Sequence, residues 1–133
     1  MRILGIDYGT KRVGLALSDA TATIASPYRV LINDETLLNE LALIIKEEEI
    51  KTIVLGLPKH MNNDLSATAG EAFKLEIELI KLGVSVVMQD ERRSTVEAER
   101  IMIEAGSNRK ERKKQIDALA ATIILQTYLD TNK

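Results

Sequence analysis

Residues 2–18 read RILGIDYGTKRVGLALS. Residues 2–7 are apolar on both faces, which suits a strand in the middle of a sheet. Gly9-Thr10-Lys11 forms a turn, and residues 13–18 (VGLALS) form a second strand. The short connection predicts an antiparallel hairpin. One residue does not fit a purely structural hairpin. Asp7 closes the apolar run, with Gly9 two residues later. A carboxylate there is either buried at a cost or serves chemistry.

The rest of the chain extends this hairpin. Residues 24–32 read as a third strand, and Pro27 within it predicts an edge position or a bulge. Asn33-Asp34-Glu35 opens a helix whose stripe runs through Leu37, Leu41, Ile44, Ile45 and Glu48, apolar except at its end. Residues 52–57 (TIVLGL) are a fourth strand, ended by Pro58 and followed by a polar loop over 59–64. Thr68 and Glu71 have capping-box spacing. Phe73, Ile77 and Ile80, beside Leu75, Leu79 and Leu82, predict a broad buried face, and Gly83 fits the C′ position of that helix. Residues 84–88 are a last strand. Ser94 with Glu97 opens a helix that stops at Gly106, 107–115 is a charged loop, and 116–129 is a final helix. This order predicts an α/β fold, a mixed five-stranded sheet with helices packed on it. A single domain over residues 1–133 is expected, without repeats or linkers.

Composition narrows the classes. A chain of 133 residues can bury a core without staples. With no cysteine, disulfides and thiolate metal sites are excluded, and a reducing cytoplasm fits. No signal-peptide pattern precedes the first strand, and no apolar run approaches the roughly 20 residues of a membrane helix. A cytoplasmic protein with no membrane association is expected. The net charge of −2 makes no case for nucleic acid by itself. With no tryptophan and one phenylalanine, a base-stacking platform is not expected.

Three acidic positions stand out. Asp7 ends the central strand, Glu91 follows the last strand, and Asp117 falls in the first turn of the final helix. The stripe Asp117, Ala121, Ile124, Tyr128 faces the sheet. Each acid has a structural alternative. Asp7 suits a turn, Glu91 suits a surface pair with Arg92, and Asp117 suits a helix N-terminus. Together they weigh differently. Parallel strands share one carboxyl-end rim, where sites gather, and Asp7 and Glu91 would both lie there if their strands run parallel. Converging carboxylates repel one another, and a divalent cation relieves the repulsion. Oxygen ligands without Cys or His suit Mg²⁺ or Mn²⁺, and two such ions suit phosphodiester chemistry. The lone His60 is a loop residue or a substrate contact beside Lys59.

Basic residues accompany the acids. Lys11 and Arg12 follow Asp7, and Arg92 and Arg93 follow Glu91. Arg109, Lys110, Arg112, Lys113 and Lys114, with only Glu111 among them, precede Asp117. Such a run is commonly a solvated loop. Beside a metal site it suits contact with a phosphate backbone.

At this point the chain resembles the YqgF/RuvX family, described as Holliday-junction resolvases or pre-rRNA nucleases. The resemblance rests on GIDYGTKRVGLALSD at 5–19, IVLGLPKHMN at 53–62, DERRST at 90–95 and RKKQIDALAATIILQTYLD at 112–130. It implies a ribonuclease H-like fold and an acidic metal site on Asp7, Glu91 and Asp117. It further implies a hydrolase trimming the 5′ end of small-subunit rRNA precursor, with a four-way DNA junction as the alternative substrate and the ribosomal particle as a partner. The sequence departs from the family pattern at Asn63-Asp64, where a glycine is usual, and at Arg93, where an aliphatic residue is usual. Two other classes stand beside the nuclease. One is a module that binds RNA or the ribosome without cutting. The other is an actin- or sugar-kinase-like phosphate loop at Asp7-x-Gly9-Thr10, which needs a second lobe. Monomer and homodimer both remain open.

Overall fold

The computed structural model describes residues 2–57, 67–90 and 109–131. Five strands form one sheet in the order β3-β2-β1-β4-β5. They are β1 (Ile3–Tyr8), β2 (Arg12–Ser18), β3 (Ala25–Ile32), β4 (Thr52–Leu57) and β5 (Ser85–Asp90). β1 pairs antiparallel with β2, and β2 with β3, whereas β1, β4 and β5 run parallel. β1 is therefore central, as its apolar residues on both faces require. Pro27 lies on the edge strand at a register shift, where Leu15 faces Arg29 and Ala16 faces Pro27. Both devices expected of a strand proline are present.

The described helices are α1 (Leu37–Glu47), α2 (Ala67–Lys81) and α3 (Arg109–Thr131). α1 and α2 cover one face through Leu37, Leu41, Ile44, Leu75 and Leu79, packed on Leu4, Ile6, Val13, Leu15, Ile53 and Leu55. α3 crosses the other face, where Ala121, Ile124, Leu125 and Leu129 meet Ala16 and Val54. Small residues bring α3 close to the sheet. A Cβ on Gly5 would lie 2.8 Å from the Cβ of Leu125. Gln126 fastens α3 to the edge strand, accepting from the Ala25 amide at 2.8 Å and donating to the Thr23 carbonyl at 3.1 Å.

Three expectations are corrected. The charged run is helix, not loop, because Arg, Lys, Glu and Gln are good helix formers with no Gly or Pro to stop them. α3 therefore begins at Arg109, and Asp117 lies in its third turn instead of its first. Thr68 already lies inside α2 and is not its N-cap. The face of α2 is also narrower than expected. Ala72, Leu75 and Leu79 are buried, whereas Ile77 and Ile80 are about half exposed at 54% and 52%. One helix packed on a sheet buries a single stripe. Gly83 takes the left-handed conformation expected after α2, with φ +95°. The expected capping box at Ser94 and Glu97 and the helix ending at Gly106 lie outside the described residues. Among the described residues no helix is long and apolar enough to cross a membrane.

Candidate functional site

Asp7 lies inside β1, not in the turn after it. Leu4, Ile6 and Tyr8 point into the α1/α2 core, so alternation turns Asp7 toward α3. Its cross-strand partners are Gly14 on β2 and Gly56 on β4. Partners across a sheet share a face. The half-buried carboxylate of Asp7 thus stands between two glycines, and neither flanking position carries a side chain.

The glycine on β2 admits the second acid. A Cβ on Gly14 would fall 1.9 Å from the carbonyl oxygen of Asp117 and 2.3 Å from its carbonyl carbon. The α3 backbone at Asp117 thus rests directly on Gly14, the register partner of Asp7. Residues 103 positions apart in sequence meet because position 14 has no side chain. Asp117 is beyond the reach of the helix N-terminal dipole, which fades after the first turn. Its Oδ2 instead accepts a hydrogen bond from Nε of Arg12 at 2.6 Å, in an ion pair with side chains 38% and 23% exposed.

Arg12 and Asp117 line a small cavity of about 230 Å³ with Gly9, Thr10 and the exposed Lys11. The turn forming its floor is fixed from outside. Asn33 donates through Nδ2 to the Gly9 carbonyl at 2.8 Å and through its backbone amide to the Lys11 carbonyl at 2.9 Å. Gly9 itself is required by space, since a Cβ there would lie 2.5 Å from the Arg12 carbonyl oxygen. Asp34 is next in sequence, but its Oδ1 accepts from the Thr36 hydroxyl at 2.5 Å and the Thr36 amide at 2.9 Å. Those bonds hold its carboxyl below the ordinary range and commit it to the entry of α1.

The parallel strands put the carboxyl ends of β1, β4 and β5 on one rim. Glu91 follows β5 directly but lies outside the described residues, as do Lys59, His60, Arg92, Arg93 and the departures at Asn63-Asp64. Arg109, Lys110, Arg112, Lys113 and Lys114 occupy the first two turns of α3. At 1.5 Å per residue the run starts about 12 Å along the helix axis from Asp117. Among the described residues no three His, Cys, Asp or Glu side chains gather in a metal-sized group. Asp7 and Asp117, on either side of Gly14, offer hard oxygen donors without sulfur or imidazole, which fits Mg²⁺ or Mn²⁺.

Gly14, Gly56 and Asn33 belong to this site without any chemical group in the sequence that marks them for it. A glycine inside a strand signals close approach of another backbone, so Gly14 and Gly56 were visible as glycines in VGLALS and TIVLGL. Nothing in the sequence named what approaches. Asn33 gave no signal beyond its place at the start of a helix-opening segment.

Known proteins share this arrangement of chain. The profile of the RuvX family, described as Holliday junction resolvase, matches residues 1–131. A Lactococcus lactis subsp. cremoris (strain MG1363) protein named "Putative pre-16S rRNA nuclease" is 45% identical, over 98% of this chain and 95% of its own length. A Staphylococcus carnosus (strain TM300) protein of the same name is 45% identical, over 98% and 96%. Among solved structures, T. thermophilus RuvC in complex with a Holliday junction substrate superposes with a TM-score of 0.60 at 17% identity, covering 98% of this chain and 95% of that one. The fowlpox virus Holliday junction resolvase superposes with a TM-score of 0.60 at 13% identity, covering 98% and 99%. The fold is ribonuclease H-like.

Proposed function

This chain belongs to the RuvX family, and on that premise we propose that it is a divalent-metal-dependent nuclease that hydrolyses phosphodiester bonds in the 5′-end processing of small-subunit rRNA precursor. The observation that carries the reading is the contact of the Asp117 backbone with Gly14, beside Asp7. Acidic residues from opposite ends of the chain are thereby brought to neighbouring positions near a strand rim, where sites of such sheets gather. The relatives' names support RNA over a DNA junction as substrate.

Asp7 and Asp117, with Glu91 as the third acid, would hold one or two Mg²⁺ or Mn²⁺ ions. When bound, these ions supply a water nucleophile at neutral pH and offset charge on the leaving oxygen. The protein's own residues bind and orient. Asp7 stands on β1 between Gly14 and Gly56, and α3 covers the Gly14 side. Lys11 and Arg12 line a cavity open to a phosphate. Arg109, Lys110, Arg112, Lys113 and Lys114, in the helix that leads to Asp117, would track the strand. Lys59, Arg92 and Arg93 complete the basic set by sequence. Water attacks phosphorus in line, and no side chain needs to form a covalent intermediate. Residues 1–133 act as one domain, in the cytoplasm, on precursor rRNA within or beside a ribosomal particle.

Two measurements test the halves of this reading. Titration calorimetry with Mn²⁺ shows uptake by the wild type that Asp7→Asn and Asp117→Asn lose. Uptake unchanged in both variants contradicts the metal site. Replacing Lys113 and Lys114 together with Ala weakens RNA binding and lowers the slope of log affinity against log salt by about 1 to 2. An unchanged slope identifies the run as a solvated helix end only.

A further inference from the structure

We propose that Arg12 is an internal counter-charge that trades Asp117 for a substrate phosphate when a metal ion arrives, so that metal and substrate strengthen each other's binding. The proposal rests on the metal-site reading above and adds a regulatory step to it. Arg12 touches Asp117 through Nε alone. Among the described residues its terminal nitrogens have no hydrogen-bond partner. A guanidinium can form a two-pronged grip on a carboxylate, and here it uses one donor, in a residue that also lines the cavity. The pair is partly open to water, with side chains 38% and 23% exposed. Pairs of this kind are weak enough to exchange.

The backbone that carries Arg12 is tied down, and its side chain is held at one atom. Asn33 holds the turn before it through the Gly9 and Lys11 carbonyls, and the backbone of Arg12 opens β2 opposite Ile32. Only the side chain has to swing. A cation bound at Asp117 repels the guanidinium and takes its acceptor. Arg12 then has an unpaired charge beside a cavity flanked by Lys11, and a phosphate is the matching partner. In reverse, a phosphate that draws Arg12 away clears Asp117 for the cation. Linkage makes the two effects equal.

The test compares wild type, Arg12→Gln and Arg12→Lys. Mn²⁺ affinity is measured by calorimetry with and without a short single-stranded RNA that resists cleavage through phosphorothioate linkages. Arg12→Gln is expected to bind Mn²⁺ about 2- to 5-fold tighter than wild type, the range that corresponds to an exposed pair. It should bind the RNA more weakly and lose the gain in Mn²⁺ affinity that RNA gives the wild type. Arg12→Lys keeps the charge and retains part of the RNA binding. A merely structural Arg12 predicts the opposite sign, a lower Mn²⁺ affinity with a lower melting temperature. Unchanged or weaker Mn²⁺ binding in Arg12→Gln overturns the exchange, while Asp7-dependent uptake by the wild type would leave the nuclease reading standing. No Asp7-dependent uptake in any variant overturns both.

Discussion

Asp7→Asn abolishes phosphodiester cleavage, by about 10²-fold or more, and leaves the melting curve close to that of the wild type. The two halves of this result have separate causes. Asn keeps the shape of the side chain, and Asp7 sits in β1 with backbone partners on both sides. The strand therefore keeps its register. What is lost is a hard, charged oxygen ligand at the centre of the rim. A neutral amide is a poor substitute for it in binding a divalent ion. Activity and a thermal melt on the same preparation check the prediction. A large drop in melting temperature would make Asp7 a structural residue, and full activity would remove it from the chemistry.

Gly14→Ala acts through structure and costs about 3 kcal/mol. For a chain of this size that lowers the melting temperature by roughly 10 °C. The new methyl would lie 1.9 Å from a carbonyl oxygen of the helix backbone. Neither partner is a flexible side chain that can turn aside. α3 has to lift from β2, and Asp117 and its bond to Arg12 move with it. Activity should fall along with stability, although no charged group has changed. Gly70→Ala is the internal control. Gly70 lies in α2 with nothing within 4 Å of its missing Cβ, so alanine should stabilise the helix by about 0.5–1 kcal/mol. Opposite signs for one chemical change would tie the cost at Gly14 to the approach of α3. Equal effects at both positions would contradict it.

Local patterns made most of the fold legible. The hairpin of β1 and β2 followed from two apolar runs and a glycine turn. The edge position of β3 followed from Pro27, and the end of α2 from Gly83. The helices between the later strands pointed to βαβ units and a mixed sheet, whereas the pairing of β1 with β4 depends on a contact across β2, β3 and α1 that no local pattern encodes. The failures have a common physical origin in contacts between distant parts of the chain. The first turns of α3 lack an apolar stripe, so periodicity read them as loop while helix propensity kept them helical. α2 carries more apolar residues than one sheet face can cover, and only the structure selects Leu75 and Leu79 over Ile77 and Ile80. The candidate site was half legible. Asp7 and Asp117 were visible as acids at the ends of apolar segments. The fit of Asp117 onto Gly14 was not, because a glycine reports only that something comes close. The Arg12–Asp117 pair is hidden for the same reason, since the sequence shows Arg12 only as a base close to Asp7.

On the proposed function, Asp7 and Asp117 serve the cutting of a phosphodiester chain in precursor rRNA. The most direct test offers 5′-extended small-subunit rRNA precursor and a four-way DNA junction side by side, in Mg²⁺ or Mn²⁺, to the wild type and to Asp7→Asn. Metal-dependent cutting of the RNA, absent in the variant and without resolution of the junction, is the predicted result. Binding of the RNA with no cleavage by the wild type, in either metal and with ribosomal particles present, would contradict it and leave a binding module.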